Sequence, residues 1–201
     1  MFTLFSGLWK YLFRKDEYFI LILGLDNAGK TTFLEQIKRT FSSSYSGIPF
    51  EKISPTVGMN VGKIAVNGIK LIFWDLGGQL ELRSLWNKYF EECHGVIFVI
   101  DSSDEKRLEE SHNAFDEALK HEFLKGVPLL VLANKQDVPG SLSVDKIQSV
   151  FHPECAILDG RQCFIQPTSA LQGDGIEPGI LWIADQVKQN LDRPPRQKDI
   201  S

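Results

Sequence analysis

The amino-acid sequence predicts an α/β fold in which a mostly parallel, six-stranded sheet carries helices on both faces. Short apolar runs alternate along the chain with longer amphipathic stretches, an alternation typical of strand–helix–strand units. Two of these runs, 61–68 and 69–76, meet at Asn67-Gly68. Because both positions of a tight hairpin turn need positive φ, Asn-Gly at this point predicts an antiparallel pair.

The first strand is predicted at 18–25, where YFILILGL is almost continuously apolar. Runs with few polar interruptions suit strands that are buried on both faces of a sheet. The stretch 29–41 follows with Phe33, Ile37 and Phe41 at helical spacing, which predicts the first helix. The remaining strands are expected at 95–101, 127–135 and 162–170, and the remaining helices at about 104–121, 143–151 and 176–190.

The composition predicts one domain with a full core, since the chain has 201 residues with 43% hydrophobic and 24% charged content. A net charge of −4 provides no basic field, so no nucleic-acid partner is expected. No apolar run reaches the roughly 20 residues that span a bilayer. Cys93, Cys155 and Cys163 fit neither a disulfide framework nor a zinc site, and they predict reduced thiols in an intracellular protein.

The stretch GLDNAGKT at 24–31 fits the phosphate-binding pattern G-x-x-x-x-G-K-[ST]. Its glycines let backbone N–H groups point at phosphate oxygens, and the N-terminus of the next helix adds a positive dipole end. Lys30 would neutralise the β- and γ-phosphates, and the Thr31 hydroxyl would bind magnesium. The alternative is a chance glycine-rich turn, but a strand before the motif and a helix after it are the context that the motif requires.

The string WDLGGQ ends the second strand of the hairpin, at the rim where parallel sheets bind ligands. Asp75 could hold magnesium through water, and a glycine N–H could reach a terminal phosphate. Gln79 could orient an attacking water. Taken alone, the string could equally be a polar turn at a strand end.

The string NKQD at 134–137 indicates which base is bound. A carboxylate here can accept N–H bonds from guanine ring N1 and the exocyclic amino group, a donor pair that adenine lacks. Ser169-Ala170-Leu171 is placed to give a backbone N–H to guanine O6. NKQD alone is an ordinary loop sequence; its position after VPLLVLA, together with the other motifs, favours guanine.

These motifs together resemble the boxes of the Ras-type small GTPases, and more closely those of the Arf branch, over roughly residues 1–190. The strings that carry the resemblance are GLDNAGKTT, PTVGMN, WDLGGQ, NKQD and SALQGDG. Asp26, the Trp-Asp-x-Gly-Gly-Gln string and the aromatic-rich N-terminus separate the chain from Ras and Rab. The Met-Phe start, the long segment 42–54 and the Arg-Pro-Pro-Arg tail point to one particular relative within the branch.

The resemblance implies a P-loop GTPase domain that binds GTP or GDP with Mg²⁺ and hydrolyses GTP, slowly until a GTPase-activating protein supplies an arginine. It assigns catalysis to Gln79 and Lys30, and magnesium to Thr31, Thr56 and, through water, Asp75. The residues that it assigns to nucleotide binding are Gly24, Leu25, Asp26, Asn27, Ala28, Gly29, Lys30, Thr31, Thr32, Thr56, Asp75, Leu76, Gly77, Gly78, Gln79, Asn134, Lys135, Gln136, Asp137, Ser169, Ala170 and Leu171.

The resemblance also implies an interswitch hairpin at about 61–74 that slides when GTP binds. Trp74 and Tyr89 match two aromatic residues that effectors of the family often read. Met59 stands where the family commonly has phenylalanine, and Leu80 stands where an acidic residue is common. The departure at Met59 concerns the effector surface rather than nucleotide binding.

The domains are expected as an amphipathic helix at 1–16, the GTPase domain at 17–191, and a basic, proline-rich tail at 192–201 that is extended or mobile. The helix either packs on the domain or binds membrane; the resemblance implies both, packed with GDP and released with GTP. Phe2 stands where N-myristoylation needs glycine, so that anchor is not expected.

The implied function is a monomeric, cytoplasmic switch that associates peripherally with Golgi or trans-Golgi membranes in its GTP form. Its partners would be an exchange factor, a GTPase-activating protein, effectors for vesicle trafficking and protein targeting, and a membrane-protein receptor. Three alternatives remain: an Arf-like GTPase at another endomembrane, a nucleotide-bound scaffold that does not cycle, and a P-loop kinase or ATPase. The last should lack NKQD.

Overall fold

A six-stranded sheet lies at the centre of the molecule. The computed structural model describes residues 16–151 and 160–196. The strands are β1 Glu17–Leu23, β2 Met59–Val66, β3 Ile69–Leu76, β4 Gly95–Asp101, β5 Leu129–Asn134 and β6 Cys163–Pro167. They lie in the order β2-β3-β1-β4-β5-β6, and β2–β3 is the antiparallel pair among parallel ones. The predicted sheet, including its one antiparallel hairpin, is confirmed.

The hairpin turn is the predicted Asn67-Gly68, with φ of 48° and 80° at the two residues. The turn residues leave the ladder, so β2 ends at Val66 rather than at 68 and instead begins at Met59. Its side chains alternate between exposed and buried, because β2 is an edge strand with one face on the core.

Helices pack on both faces of the sheet, as predicted. The described residues contain α1 Lys30–Phe41, α2 Asn87–Phe90, α3 Leu108–Leu119, α4 Val144–Phe151 and α5 Ile176–Gln189. The buried side chains of α1 and α5 share one apolar core. Those of α2, α3 and α4 share a second core on the opposite face. Two cores fix the sheet from both sides and hold its carboxyl rim in place.

The predicted N-terminal helix falls on residues 1–16, and all of these except Asp16 lie outside the described residues. Within 16–151 and 160–196, no helix is long and apolar enough to cross a bilayer.

Residues 192–196, here called the C-terminal strap, run along the edge of β1 that β4 leaves open. The first β4 residue, Gly95, pairs with Ile20, so Glu17 has no β4 neighbour. Arg196 takes that place, donating to the Glu17 carbonyl at 2.9 Å and accepting from the Glu17 N–H at 3.3 Å. The His94 ring links the strap to β1, since Nδ1 accepts from Phe19 N–H at 3.1 Å and Nε2 lies 3.0 Å from the Pro194 carbonyl.

The side chain of Arg193 holds the strap down at a second place. Its guanidinium donates to the carbonyl oxygens of Phe90, Glu91 and Cys93, at 3.3, 3.2 and 2.6 Å. Within 192–196 the chain therefore turns at Asp192 and contacts the domain through Arg193, Pro194 and Arg196.

Candidate functional site

The phosphate-binding motif forms a tight loop between β1 and α1. β1 ends at Leu23, earlier than predicted, because Gly24 turns the chain with φ of 135°. Gly29 precedes α1 in the left-handed region, with φ of 95°. A Cβ atom at Gly29 would lie 2.4 Å from Nδ2 of Asn134, so this position needs glycine both for its conformation and for its space.

The Lys30 side chain is buried beneath this loop. Its Nζ donates to the Leu25 carbonyl at 2.6 Å, and the residue is 6% exposed. Burial lowers the pKa of Lys30 to about 8, although the Asp75 and Asp26 carboxylates act in the opposite direction. The nearby carboxylates therefore do not fully offset the burial of the Lys30 cation. This arrangement is expected beneath an anionic ligand such as a phosphate, which would supply the missing negative charge.

The three predicted magnesium ligands meet although they come from three separate segments. The Thr31 hydroxyl lies 2.8 Å from the Thr56 hydroxyl and donates to Asp75 Oδ2 at 2.6 Å. Thr56 lies 3.3 Å from the same Oδ2. Asp75 is fully buried, which raises the pKa of its carboxyl group, and its Oδ1 has no hydrogen-bond partner among the described residues.

This cluster fits a hard cation. Hydroxyl and carboxylate oxygens are the donors that Mg²⁺ takes, often through retained water. A buried carboxylate oxygen without a partner is costly, and a cation or its water would satisfy Oδ1. Thr31, Thr56 and Asp75 are thus the residues that would hold magnesium.

The loop after β3 lies against the phosphate-binding loop. A Cβ atom at Gly78 would lie 2.4 Å from the Gly24 carbonyl oxygen, so a side chain here would strike backbone. Gly77 donates to the Gly58 carbonyl at 3.0 Å and accepts from Trp86 Nε1 at 3.0 Å. Leu76 is buried, and Gln79 is exposed. The exposed Gln79 side chain therefore stands where solvent reaches the site.

A chain of charged side chains ties the two loops together, and the sequence analysis missed it. Arg107 Nη2 donates to Asp26 Oδ1 at 2.7 Å, and its Nε donates to Glu110 Oε2 at 2.8 Å. Arg83 donates to the other oxygen of Glu110 at 2.5 Å and to the Gly78 carbonyl at 3.0 Å. These arginines lower the pKa of Glu110 to about 2 and hold the pKa of Asp26 below its usual value.

Asn134 joins the phosphate-binding loop to the loop after β6. Its Nδ2 donates to the Ala28 carbonyl at 2.8 Å, and its Oδ1 accepts from the Ala170 N–H at 2.9 Å. Asn134, Ala28 and Ala170 are each at most 3% exposed. One side chain thus fixes the relative position of two of the predicted nucleotide loops.

We expect Asn134→Ala to lower the free energy of unfolding by roughly 2–4 kcal/mol, because it removes two buried hydrogen bonds and leaves both backbone partners unsatisfied. Urea unfolding followed by tryptophan fluorescence measures this. The matched control is Asn113→Ala on the exposed face of α3, which should change stability by less than about 0.5 kcal/mol. Equal effects of the two variants would contradict the bridging role of Asn134.

The other residues of NKQD lie beside the loop at 168–171. Lys135 has a φ of 65°, and its Nζ donates to Asp101 Oδ2 at 2.6 Å. Gln136 N–H donates to the Thr168 carbonyl at 3.0 Å. Asp137 is half-buried. The pairing of these two loops brings the predicted base-reading residues together.

Two of the three amides at 169–171 already have partners. Ser169 N–H donates to the Asp174 carbonyl at 3.0 Å, and the Ala170 N–H is taken by Asn134. Among the described residues, the Leu171 N–H has no partner, and this residue is 54% exposed. Of these three residues, Leu171 is therefore the one whose backbone N–H is available to donate to a ligand.

A cavity of about 260 Å³ lies between these loops at the carboxyl rim of the sheet. The residues that line it are Asp26, Asn27, Gly29, Lys30, Thr31, Thr32, Phe50, Ile53, Ser54, Pro55, Thr56, Gly78 and Gln79. Two of the predicted magnesium residues, Thr31 and Thr56, thus share one cavity with part of the phosphate-binding loop, whereas Asp75 and the predicted base-reading residues 134–137 and 169–171 lie outside its lining. Phe50 is a lining residue that the sequence analysis did not identify, because no motif marks it.

Comparison with known proteins gives a likeness over the whole chain. The model of the ADP-ribosylation factor family matches residues 4–187. The chain is 56% identical to ADP-ribosylation factor-related protein 1 of Homo sapiens over 201 residues, all of both chains. It is 44% identical to ADP-ribosylation factor-like protein 3 of Saccharomyces cerevisiae over 200 residues, which cover 98% of this chain and 100% of that one.

A solved structure gives the same likeness in three dimensions. It is the Arl6 BBS3 small GTPase from Trypanosoma brucei with bound nucleotide analogue GppNp. The TM-score is 0.74 at 30% identity, and the match covers 86% of this chain and 98% of that chain. All the residues of the candidate site fall within the region that the family model matches.

Proposed function

The chain belongs to the ADP-ribosylation factor family of small GTPases, so it is a GTP-binding switch that hydrolyses GTP, and we propose that it works at Golgi and trans-Golgi membranes. The resemblance found in the motifs is confirmed, including its nearness to ADP-ribosylation factor-related protein 1. The cluster of Thr31, Thr56 and Asp75 carries the mechanism, since it joins three separate segments at one point.

The chain's own residues have separable tasks in the proposed hydrolysis. Lys30 holds the negative charge of the phosphates from below, and the loop at 24–29 turns backbone N–H groups toward them. Gln79 orients the attacking water from the exposed rim of the cavity. Magnesium held by the oxygen cluster would neutralise charge on the phosphates.

Hydrolysis is proposed to be slow until an activating protein supplies an arginine. Among the described residues, Arg83 and Arg107 lie beside the phosphate-binding loop and the loop after β3, but both already have partners: Arg83 binds the Gly78 carbonyl and Glu110, and Arg107 binds Asp26 and Glu110. A third cation from a partner would add the positive charge that the transition state requires. An exchange factor would reload the monomeric protein with GTP.

The effector surface is proposed to lie at β3 and α2. The Trp74 and Tyr89 rings lie 5.4 Å apart between centroids, so the two predicted aromatic residues form one patch. Met59 lies at the start of the neighbouring strand and is 41% exposed. A flexible thioether at this position adapts to more partner shapes than phenylalanine would.

Membrane attachment is proposed to need two determinants. The segment 1–16 has aromatic residues at helical spacing and a basic end. An amphipathic helix by itself binds membranes weakly and reversibly. A membrane-protein receptor is therefore proposed as the second determinant, with trafficking and protein targeting at the Golgi as the outcome.

Flotation of the full chain, loaded with GDP or a non-hydrolysable GTP analogue, tests this proposal. We expect strong binding to Golgi-enriched membranes only with the GTP analogue, and weak binding to anionic liposomes with either nucleotide. Trp9→Glu should abolish the membrane-bound fraction.

The matched control is Leu191→Glu, which places the same charge on an exposed apolar residue outside 1–16. Equal Golgi binding in both nucleotide states would contradict nucleotide control. Strong binding to protein-free liposomes would contradict the need for a receptor. Release of phosphate from GTP, measured on the same samples, gives the rate of GTP hydrolysis independently of membrane binding.

A further inference from the structure

Phe19 of β1 packs against Trp74, a residue of the proposed effector surface. Phe19 is 6% exposed, and the centroid of its ring lies 4.6 Å from that of Trp74. Trp74 and its neighbour Tyr89 are both half-buried. The orientation of the Trp74 ring therefore depends on where the Phe19 ring lies.

The backbone of Phe19 is held by His94. Its carbonyl accepts from the His94 N–H at 2.8 Å, and its N–H donates to Nδ1 of the same residue at 3.1 Å. A strand N–H ordinarily donates to a carbonyl of the neighbouring strand, but β4 begins only at Gly95. The imidazole supplies the missing acceptor, and its ring stacks on that of Phe19 with centroids 5.8 Å apart.

The C-terminal strap determines which nitrogen of His94 can accept. Nδ1 accepts a hydrogen bond only while it carries no proton, so the proton of the neutral ring must be on Nε2. Nε2 lies 3.0 Å from the Pro194 carbonyl, and a carbonyl only accepts, which favours this tautomer. His94 is buried, and burial lowers its pKa, so the ring stays neutral. The strap carbonyl thus supports the hydrogen bond to Phe19.

The strap also reaches the Phe19 ring directly. The guanidinium carbon of Arg196 lies 5.7 Å from the centroid of this ring, within the range of a cation–π contact. The backbone of Arg196 is fixed by its pairing with Glu17, and Arg193 anchors the start of the strap. The strap therefore contacts Phe19 by two routes, through the His94 ring and through the Arg196 guanidinium.

We propose that the C-terminal strap is a positioning element of the effector surface, which holds His94 and Phe19 and through them fixes the Trp74 ring. The inference rests on the proposed effector surface and adds to it a support from the far end of the chain. If the strap leaves the domain, Trp74 gains other orientations, and these must be given up again when an effector binds. That ordering lowers affinity, so the strap preorganises the surface.

Fluorine NMR of the full chain, labelled with fluorotryptophan and loaded with magnesium and a non-hydrolysable GTP analogue, tests this inference. The Trp74 resonance is the one that is missing from the spectrum of Trp74→Phe. We expect Arg193→Ala/Arg196→Ala, which releases the side-chain anchors of the strap, to shift and broaden this resonance. An unchanged Trp74 resonance would overturn the role of the strap.

Two controls show that the rest of the fold is intact. The Trp182 ring packs on Phe164, with centroids 5.4 Å apart, so its resonance should stay in place in the strap variant. Lys188→Ala alters an exposed residue in the last turn of α5, just before the strap, and should leave the Trp74 and Trp182 resonances unchanged. A shift of Trp182 as large as that of Trp74 would indicate general loosening and overturn the inference.

His94→Ala tests the connection between the strap and Phe19. It should shift the Trp74 resonance and accelerate hydrogen exchange of the Phe19 amide roughly fivefold, because that amide loses its acceptor. If the strap acts through His94, combining His94→Ala with the strap variant should shift Trp74 by less than the sum of the separate shifts. Shifts that add fully would overturn the connection through His94.

The effector surface itself is tested separately, by GTP-dependent recruitment of cytosolic proteins to Golgi-enriched membranes that carry the full chain. Trp74→Ala should abolish this recruitment, and the strap variant should reduce it. Recruitment that survives Trp74→Ala would overturn the proposed effector surface, and with it the role of the strap in effector binding. An unchanged fluorine spectrum in the strap variant would overturn the strap alone, so the two failures are distinguishable.

Discussion

Replacing Asp137 by asparagine is expected to weaken GDP binding by roughly 10³-fold, about 4 kcal/mol. In its predicted role, the Asp137 carboxylate would offer two acceptor oxygens to the N–H groups at guanine N1 and the exocyclic amino group. Asparagine replaces one acceptor by an NH₂ donor, which then faces a donor on the base. Isothermal titration of the magnesium-loaded protein with GDP measures the loss.

The same variant should gain affinity for xanthine nucleotides. Xanthine carries a carbonyl oxygen where guanine carries its amino group, so the new NH₂ donor of Asp137→Asn finds an acceptor. Recovered binding of XDP would show that the protein is folded and that position 137 reads the base. ATP should bind weakly to both proteins. Unchanged GDP affinity would remove Asp137 from the base-reading role.

Gln79→Leu is expected to lower the rate of GTP hydrolysis by roughly 10²-fold, because the water loses the group that orients it. Nucleotide affinity should stay within about a factor of two, since leucine has similar size and the side chain at 79 is exposed. Single-turnover release of phosphate from preloaded GTP, with and without an activating protein, measures both the intrinsic and the stimulated rate.

Leu80→Ala is the control for Gln79→Leu, because Leu80 is adjacent in the chain and 70% exposed. Its rate of hydrolysis should match that of the wild type. Stimulated hydrolysis that survives Gln79→Leu would show that another group orients the water, and the assignment of Gln79 would then be wrong.

The parts of this molecule that obey local rules could be predicted from the sequence. The hairpin turn could be predicted from Asn67-Gly68 alone, because this pair favours the turn geometry. The strand β1 could be predicted from its apolar run, because such a run suits burial on both faces. The phosphate-binding loop and NKQD were predictable because their chemistry requires particular residue types at strand ends. Their meeting at one rim follows from parallel strands sharing a direction.

The parts that depend on contacts between distant polar side chains could not be predicted. Arg107 reaches Asp26 across the fold, and Glu35 takes its partners from a loop with no periodic pattern. Neither contact can be recognised from the spacing of apolar residues in the sequence. The end of β1 was misplaced by two residues, since Leu25 is apolar and buried yet belongs to the phosphate-binding loop. The apolar character of a residue does not distinguish a position in a β-strand from a position in a buried loop.

The contact between the C-terminal strap and β1 joins residues that lie far apart in the chain, so it closes a very long loop. The backbone bonds between Glu17 and Arg196 join the two ends of the described chain, so closing them encloses nearly all of it. Loop-closure entropy rises with the length enclosed, and such a contact is the least favourable to form before the rest of the domain is in place. The strap should therefore join last during folding. Its hydrogen bonds then slow unfolding rather than speed folding, so they contribute to the lifetime of the native state.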